Sequence, residues 1–357
     1  MHQKKQSVGI LGATGMVGQR FVQLLEHHPW FEITWLAASD RSTGKTYGEA
    51  VNWKLATPPP ASIARMPVSP ATPEGAPRII FAALDANIAL DMEPRFAAAG
   101  CAVITNSSAF RMAPDVPLVI PEVNPGQLSL IDQQIWHRDS GGYIVTNPNC
   151  CAVGLVLALK PLADAFGLES IFVATMQAIS GAGYPGVASM DILGNVVPYI
   201  KNEEDKLEAE TLKLLGATVA NGVQPLDAKI TAHCNRVAVE NGHTECVSVK
   251  FRRAASREEI LSAWRHFHPL RDHSLPSAPS QPIEFAPEDN RPQPRLDVDR
   301  GHGMATTIGR LRPCSLLDWK FTLLSHNTVR GAAGAALLNA ELLAAQGKLL
   351  PGAPESQ

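Results

Sequence analysis

One short segment constrains the fold of this chain more than any other. Gly12-Ala-Thr-Gly15-Met-Val-Gly18 separates an apolar run at 7–12 (Ser-Val-Gly-Ile-Leu-Gly) from residues 15–27. In the latter, Met16, Val17, Phe21, Leu24 and Leu25 recur at helical spacing. A buried strand, a glycine turn and a helix, followed by a second strand at 32–38, begin a parallel α/β sheet. Glycines in such a turn let backbone N–H groups approach a pyrophosphate, and the helix N-terminus adds partial positive charge. Gly12 and Gly15 are therefore candidate cofactor-binding residues. The spacing is G-x-x-G-x-x-G, not the strict G-x-G-x-x-G, so a plain strand-to-helix turn stays open as the alternative.

The second strand runs into Ser39-Asp40-Arg41-Ser42-Thr43-Gly44-Lys45. Dinucleotide folds read the adenine ribose at this place. An acidic residue favours a free 2′-hydroxyl, whereas arginine accommodates a 2′-phosphate. Both types occur here, but the added donors of Ser42, Thr43 and Lys45 favour NADP over NAD. The plainer reading is a polar loop without a ligand.

Further apolar runs at 78–83, 102–105 and 144–146 read as strands, and 86–99 as a helix. Residues 57–77, with seven prolines, read as irregular. The pattern changes near 150. An apolar helix is expected over 152–166, strands over 171–178 and 245–251, and an acidic amphipathic helix over 203–215. An extended loop is expected over 276–294, and a helix rich in small residues over 328–346. The 357 residues suit about two domains. The pattern reads as a Rossmann-type dinucleotide-binding domain over 1–150 and an α+β domain over 151–325.

Composition narrows the function. Lys+Arg 31 against Asp+Glu 34 gives a net charge of −3, without the basic excess of a nucleic-acid binder. The apolar runs fall short of the roughly 18–20 residues that cross a bilayer. Lys4 and Lys5 before an apolar run resemble a secretory signal only superficially, because Gly12, Gly15 and Gly18 interrupt it. The six cysteines include no C-x-x-C, and Cys150 and Cys151 are adjacent, which suits neither a zinc site nor a disulfide framework. Reduced thiols in a cytoplasmic protein, with no metal, are expected.

Thr146-Asn147-Pro148-Asn149-Cys150-Cys151 places Cys150 where a loop meets a helix, a position that favours thiolate. A nucleophilic thiol needs a partner that moves protons, and histidine is the usual choice. His243, in Glu240-Asn241-Gly242-His243-Thr244-Glu245, enters a strand and is the leading candidate among eleven histidines. The ordinary alternative is a buried structural cysteine and a surface histidine.

Nine segments carry a wider likeness: GATGMVGQRF (12–21), RSTGKTYGEAVNWK (41–54), NSSAFRMAPDVPLVIPEVNP (106–125), TNPNC (146–150), LALKPL (157–162), MQAISGAGYPGV (176–187), HCNRVAVENGHTECVSVKF (233–251), RPQPRLD (291–297) and HNTVRGAAGAA (326–336). On these the chain resembles the aspartate-β-semialdehyde dehydrogenase family, in its archaeal and fungal branch, from about residue 7 to 347. The resemblance implies that Cys150 is the nucleophile, His243 the acid/base and Gln177 the residue orienting substrate. It implies that Arg111 and Lys206 bind phosphate, Glu203 meets the substrate ammonium and Arg236 clamps the α-carboxylate. It assigns Thr14, Met16, Val17, Arg41, Ser42, Ser180, Gly181 and Asn327 to the cofactor. Two arginines, a lysine and a glutamate complement the charges of β-aspartyl phosphate, and a planar guanidinium holds a carboxylate through two parallel bonds. Each taken alone could be a solvated surface charge; their joint occurrence favours the functional reading.

The implied reaction is NADP-dependent reductive dephosphorylation through a cysteine thioester, in lysine, threonine and methionine biosynthesis. Backbone N–H groups near Cys150 are expected to stabilise the oxyanion. The resemblance also implies that the C-terminal segment 326–357 completes the first domain, that 151–325 is the substrate-binding and dimerisation domain, and that the chain forms a homodimer or homotetramer. The family more often has Ser-Thr after the cysteine; here Cys151-Ala152 stands, so Cys151 is either a weak S–H donor or a competing thiol. The competing functions are a malonyl-CoA reductase, whose substrate has no α-ammonium, an N-acetylglutamyl-phosphate reductase, an enzyme acting on a modified aspartate analogue, and a non-catalytic dinucleotide-binding sensor.

Overall fold

The computed structural model describes residues 4–349. Six strands form the first sheet: β1 (Gln6–Leu11), β2 (Phe31–Ala37), β3 (Val68–Ser69), β4 (Ile79–Ala82), β5 (Ala102–Thr105) and β6 (Tyr143–Thr146). Their order is β3-β2-β1-β4-β5-β6 and every pairing is parallel. β4, β5 and β6 are buried along their whole length, which is why they read as unbroken apolar runs. The chain order reverses between β1 and β4. In such sheets ligands bind in the crevice beyond the strand ends at that point, and the Gly12 turn lies there, between β1 and helix Met16–Leu25.

The second sheet is mixed. It takes β7 (Leu168–Gln177), and, after a small hairpin β8 (Ala217–Val219) and β9 (Gly222–Gln224), continues with β10 (Lys229–Arg236), β11 (His243–Phe251), β12 (Ile283–Ala286), β13 (Thr306–Pro313) and β14 (Trp319–Ser325). The order is β10-β7-β11-β14-β13-β12. Helix Cys150–Phe166 packs against it, burying nearly every residue from Cys151 to Leu162 with Val173, Val247, Phe321 and Leu323. At about 25 cal/mol per Å², each of its buried leucines or valines contributes roughly 1.5–3 kcal/mol.

Three segments differ from their sequence reading. Residues 57–77 hold a short helical turn, Ala61–Ala64, and β3, so they are not wholly irregular. Residues 276–294 contain β12, which a proline-rich context conceals. The apolar helix begins at Cys150 instead of 152 because Asn149 caps it: its Oδ1 accepts the Cys151 and Ala152 N–H groups at 2.8 and 3.3 Å.

At the C-terminus, Val329–Ala333 is a π-helical turn leading into helix Gly334–Ala345. Leu337, Leu338, Leu342 and Leu343 join Phe21, Val22 and Phe81 in the core of the first sheet. His28 Nε2 and Glu341 Oε1 meet at 2.8 Å, fastening this helix to the first sheet's connections. Residues 350–357, assigned above to the first domain, lie outside the described residues. Among the described residues no helix is long and apolar enough to cross a membrane.

Candidate active site

The site lies where the first turn of the Cys150 helix meets the ends of β7 and β11. Cys150 Sγ and His243 Nε2 are 3.2 Å apart. The Ala178 N–H donates to His243 Nδ1 at 3.0 Å, so the ring proton resides on Nε2 and points at the sulfur. Ala178 also uses its carbonyl, which accepts from Arg236 Nη1 at 2.8 Å. One peptide unit thus orients both the imidazole and the guanidinium.

The two sulfurs are electrostatically different. Hydrogen bonds from the Cys151 thiol and from His243, together with the charge of Arg111, hold the Cys150 thiol well below its ordinary range against the opposing effect of burial. Burial and the neighbouring Cys150 push Cys151 the other way. The two shifts run in opposite directions, favouring Cys150 over Cys151 as the nucleophile. Cys150, Cys151 and His243 bring three soft donor atoms within 4.8 Å of one another. The Ala178 hydrogen bond, however, makes Nε2 present a proton instead of a metal-binding lone pair.

On the other side of Cys150, Glu203 Oε1 accepts from Asn149 Nδ2 at 2.8 Å and from Gln177 Nε2 at 3.2 Å. Glu210 Oε1 accepts from Arg111 Nη1 at 3.0 Å, and its Oε2 accepts the Asn149 N–H at 2.5 Å. Arg111 Nη2 donates to the Asn106 carbonyl at 2.6 Å. Asn327 Nδ2 donates to Ser180 Oγ at 2.8 Å, while its Oδ1 accepts the Gly242 N–H beside His243, also at 2.8 Å. Gly181 packs here as well: an added Cβ would stand 2.9 Å from Arg236 Nη1 and 3.2 Å from His243 Nε2.

The structure therefore brings Cys150, His243, Gln177, Glu203, Arg111, Arg236, Ser180, Gly181 and Asn327 to one place. Lys206 stands half-buried one turn from Glu203 on the same helix. Gly12, Thr14, Gly15, Met16 and Val17 form the turn and first helical residues after β1, and Arg41 (exposed) and Ser42 (buried) occupy the turn after β2. The amides of Asn149, Cys151 and Ala152 are already engaged, by Glu210 and by the Asn149 cap. The N–H of Cys150 itself, at the first position of the helix, and the His243 Nε2–H directed at Sγ are the donors left near the sulfur.

Comparison with known proteins bears on what this arrangement is. The domain family described as semialdehyde dehydrogenase, NAD binding domain, matches residues 7–131, and semialdehyde dehydrogenase, dimerisation domain, matches 159–330. The aspartate-semialdehyde dehydrogenase of Archaeoglobus fulgidus is 52% identical over 95% of this chain and 98% of its own. The Candida albicans enzyme of that name is 45% identical over 96% of this chain and 98% of its own. The chain belongs to the aspartate-semialdehyde dehydrogenase family. The crystal structure of the Candida albicans member with NADP superposes with a TM-score of 0.89 at 44% identity, covering 96% of this chain and 99% of that one. A family member from Vibrio cholerae, solved with ASA, superposes at 0.74 with 26% identity, covering 96% and 99%.

Four residues of the site escaped the sequence reading. Asn149, Glu210 and Lys213 hold others in place, and Glu245 is fully buried with neither carboxylate oxygen hydrogen-bonded among the described residues. Burial, with the nearby charges of Cys150 and Glu203, raises the Glu245 carboxyl well above the usual range. The spacing 203, 206, 210, 213, which is one face of a helix, was the available signal for Glu210 and Lys213.

Proposed function

We propose that the chain is an NADP-dependent aspartate-semialdehyde dehydrogenase, converting L-β-aspartyl phosphate to L-aspartate 4-semialdehyde through a thioester on Cys150. The observation that carries this reading is the 3.2 Å contact between a depressed thiol at a helix N-terminus and an Nε2–H imidazole. The names of the relatives and the NADP in the Candida albicans structure support the substrate and cofactor.

The residues present fit a dinucleotide. Gly12 has φ +86°, and a Cβ on it would lie 2.5 Å from the Ala83 carbonyl oxygen. A Cβ on Gly18 would lie 2.3 Å from the Gly12 oxygen. The turn is thus as tight as a pyrophosphate cradle requires. Met16, Arg20, Ser180, Asn241 and His326 line a cleft of about 380 Å³ between this turn and the second sheet. Arg41, Ser42 and Lys45 would hold the 2′-phosphate. When bound, the cofactor supplies hydride to the thioester carbon.

The protein's own groups do the rest. Cys150 thiolate attacks the acyl phosphate carbon, the C–O bond to phosphate breaks, and Arg111 and Lys206 take the departing charge. Arg236 and Glu203 hold the α-carboxylate and α-ammonium, and Gln177 fixes the acyl group. His243 hydrogen-bonds through its Nε2–H to the oxygen that gains charge on reduction; as that oxygen re-forms the carbonyl, the C–S bond breaks and its electron pair returns to Sγ as thiolate. Covalent catalysis splits one difficult displacement into two easier steps. The chain self-associates as a dimer or tetramer and, given its nucleophilic free thiol, works in a reducing compartment such as the cytoplasm.

The test is a substrate panel. Aspartate semialdehyde with phosphate and NADP is expected to turn over with kcat/KM well above that for the same mixture with NAD. Preferential reduction of malonyl-CoA, with aspartate semialdehyde inert, would contradict the proposal.

A further inference from the structure

The helix Glu203–Leu214 presents Glu203, Lys206, Glu210 and Lys213 along one face. The first two carry substrate-binding roles in the reading above. The other two touch neither substrate charge, yet both are buried. Lys213 Nζ donates to the carbonyls of Arg111, Ala113 and Val116 at 2.6, 2.9 and 3.2 Å, pinning the loop that carries Arg111. Glu210 reaches further: one oxygen holds the Arg111 guanidinium and the other holds the backbone N–H of the residue before Cys150. The two partners come from separate segments upstream, 99 and 61 positions away in sequence.

We propose that Glu210 is a positioning residue that sets the distance between the phosphate-binding guanidinium of Arg111 and the sulfur of Cys150. A carboxylate has two acceptor oxygens and can hold two donors at once. A glutamine of the same size has one, and its amide would confront a second donor. An aspartate keeps both oxygens on a shorter stem that does not span the gap. Arg111 keeps a buried Nε–H that has no acceptor among the described residues, so the guanidinium retains capacity for an incoming oxyanion. Attack on an acyl phosphate is sensitive to where the leaving group sits relative to the nucleophile, and an error of about 1 Å costs on the order of a hundredfold. Among the described residues, Glu210 is the one side chain that bonds both to that guanidinium and to the nucleophile's own turn. The inference rests on the phosphate role read for Arg111.

The experiment is a double-mutant cycle in the oxidative direction, with phosphate varied at saturating NADP and aspartate semialdehyde. R111A is expected to raise the phosphate KM by about tenfold or more, the loss of a charge-assisted contact. E210Q is expected to raise it by a similar factor and to lower kcat, with the NADP Kd unchanged. On the R111A background, E210Q is expected to change the phosphate KM by less than about twofold, because its effect passes through Arg111. E210D serves as the second variant should E210Q fail to fold, with the same expected outcome. Multiplying effects, or an unchanged phosphate KM in E210Q and E210D, would overturn the inference while leaving Arg111 in its role. An unchanged phosphate KM in R111A would instead overturn the reading of Arg111, and the coupling with it.

Discussion

At position 150 the charge state of one sulfur depends on groups drawn from three parts of the chain. Cys151 follows it on the helix that Asn149 caps, His243 begins β11, and Arg111 arrives from the loop after β5. The Cys151 thiol is the strongest of these influences, which gives a chain-specific prediction. C151A removes the donor, so the pH midpoint for alkylation of Cys150 by iodoacetamide should move up toward the ordinary thiol range. C151S, which keeps a donor, should leave the midpoint nearer that of the native enzyme. Equal midpoints in all three proteins would show that Cys151 is a bystander. Arg236 offers a second check. One of its guanidinium nitrogens is spent on the Ala178 carbonyl, and the others make no hydrogen bond among the described residues. R236L should lower kcat/KM for aspartate semialdehyde by about ten- to a hundredfold, the scale of a lost charge-assisted pair, while the alkylation midpoint of Cys150 stays in place. An unchanged kcat/KM would remove Arg236 from substrate binding.

Among the elements, helix Ala86–Ala98 carries a buried acid with a calculable consequence. Glu93 Oε1 accepts from Thr105 Oγ1 at 2.5 Å at the end of β5, and its other oxygen has no partner among the described residues. Burial pushes the carboxyl up to about 7, against the opposing pull of Thr105 and Arg111. A raised folded value means that the neutral acid's contribution is complete below the unfolded value near 4.5 and is lost as pH rises through 7. E93Q should therefore unfold like the native chain near pH 4 and gain up to about 3 kcal/mol over it by pH 8, measured by urea denaturation across that range. A constant difference across the range would show that Glu93 does not titrate there. Apart from β3, the strands of the first sheet were legible because parallel strands buried on both faces are short apolar runs, as at Ile79–Ala82 after Pro77 and Ala102–Thr105 after Gly100. β10, β13 and β14 went unread: β10 alternates exposed and buried positions through Lys229, Thr231, His233 and Asn235, and such a run has no unbroken apolar stretch. The reactive pair could be named from the Asn-Pro-Asn turn and the Gly-His entry to a strand. Glu210 could not, since the meaning of an acidic residue on an amphipathic helix depends on donors that only the folded chain brings near.

For the whole molecule, the arrangement assigns separate tasks to two sheets. The first presents the glycine turn at the point where its strand order reverses, and the second presents Gln177, Arg236 and His243 at adjoining strand ends. The helix Cys150–Phe166, which follows β6 and covers the second sheet, puts the nucleophile at the seam. The C-terminal segment closes the arrangement from the other side: a Cβ on Gly331, in the π-helical turn, would stand 2.8 Å from the Cys150 Cβ. G331A should therefore displace the nucleophile's turn and lower kcat by about tenfold or more, given the sensitivity of attack to placement, with the NADP Kd retained; full activity would show that the turn yields at no cost. The account as a whole depends on transient acylation of a single atom. Mass spectrometry of the enzyme quenched with β-aspartyl phosphate in the absence of NADPH reads that directly. An aspartyl adduct on the peptide containing Cys150, absent from C150A and present in C151A, is the result expected. An adduct on Cys151, or none on either cysteine while turnover proceeds, would contradict it.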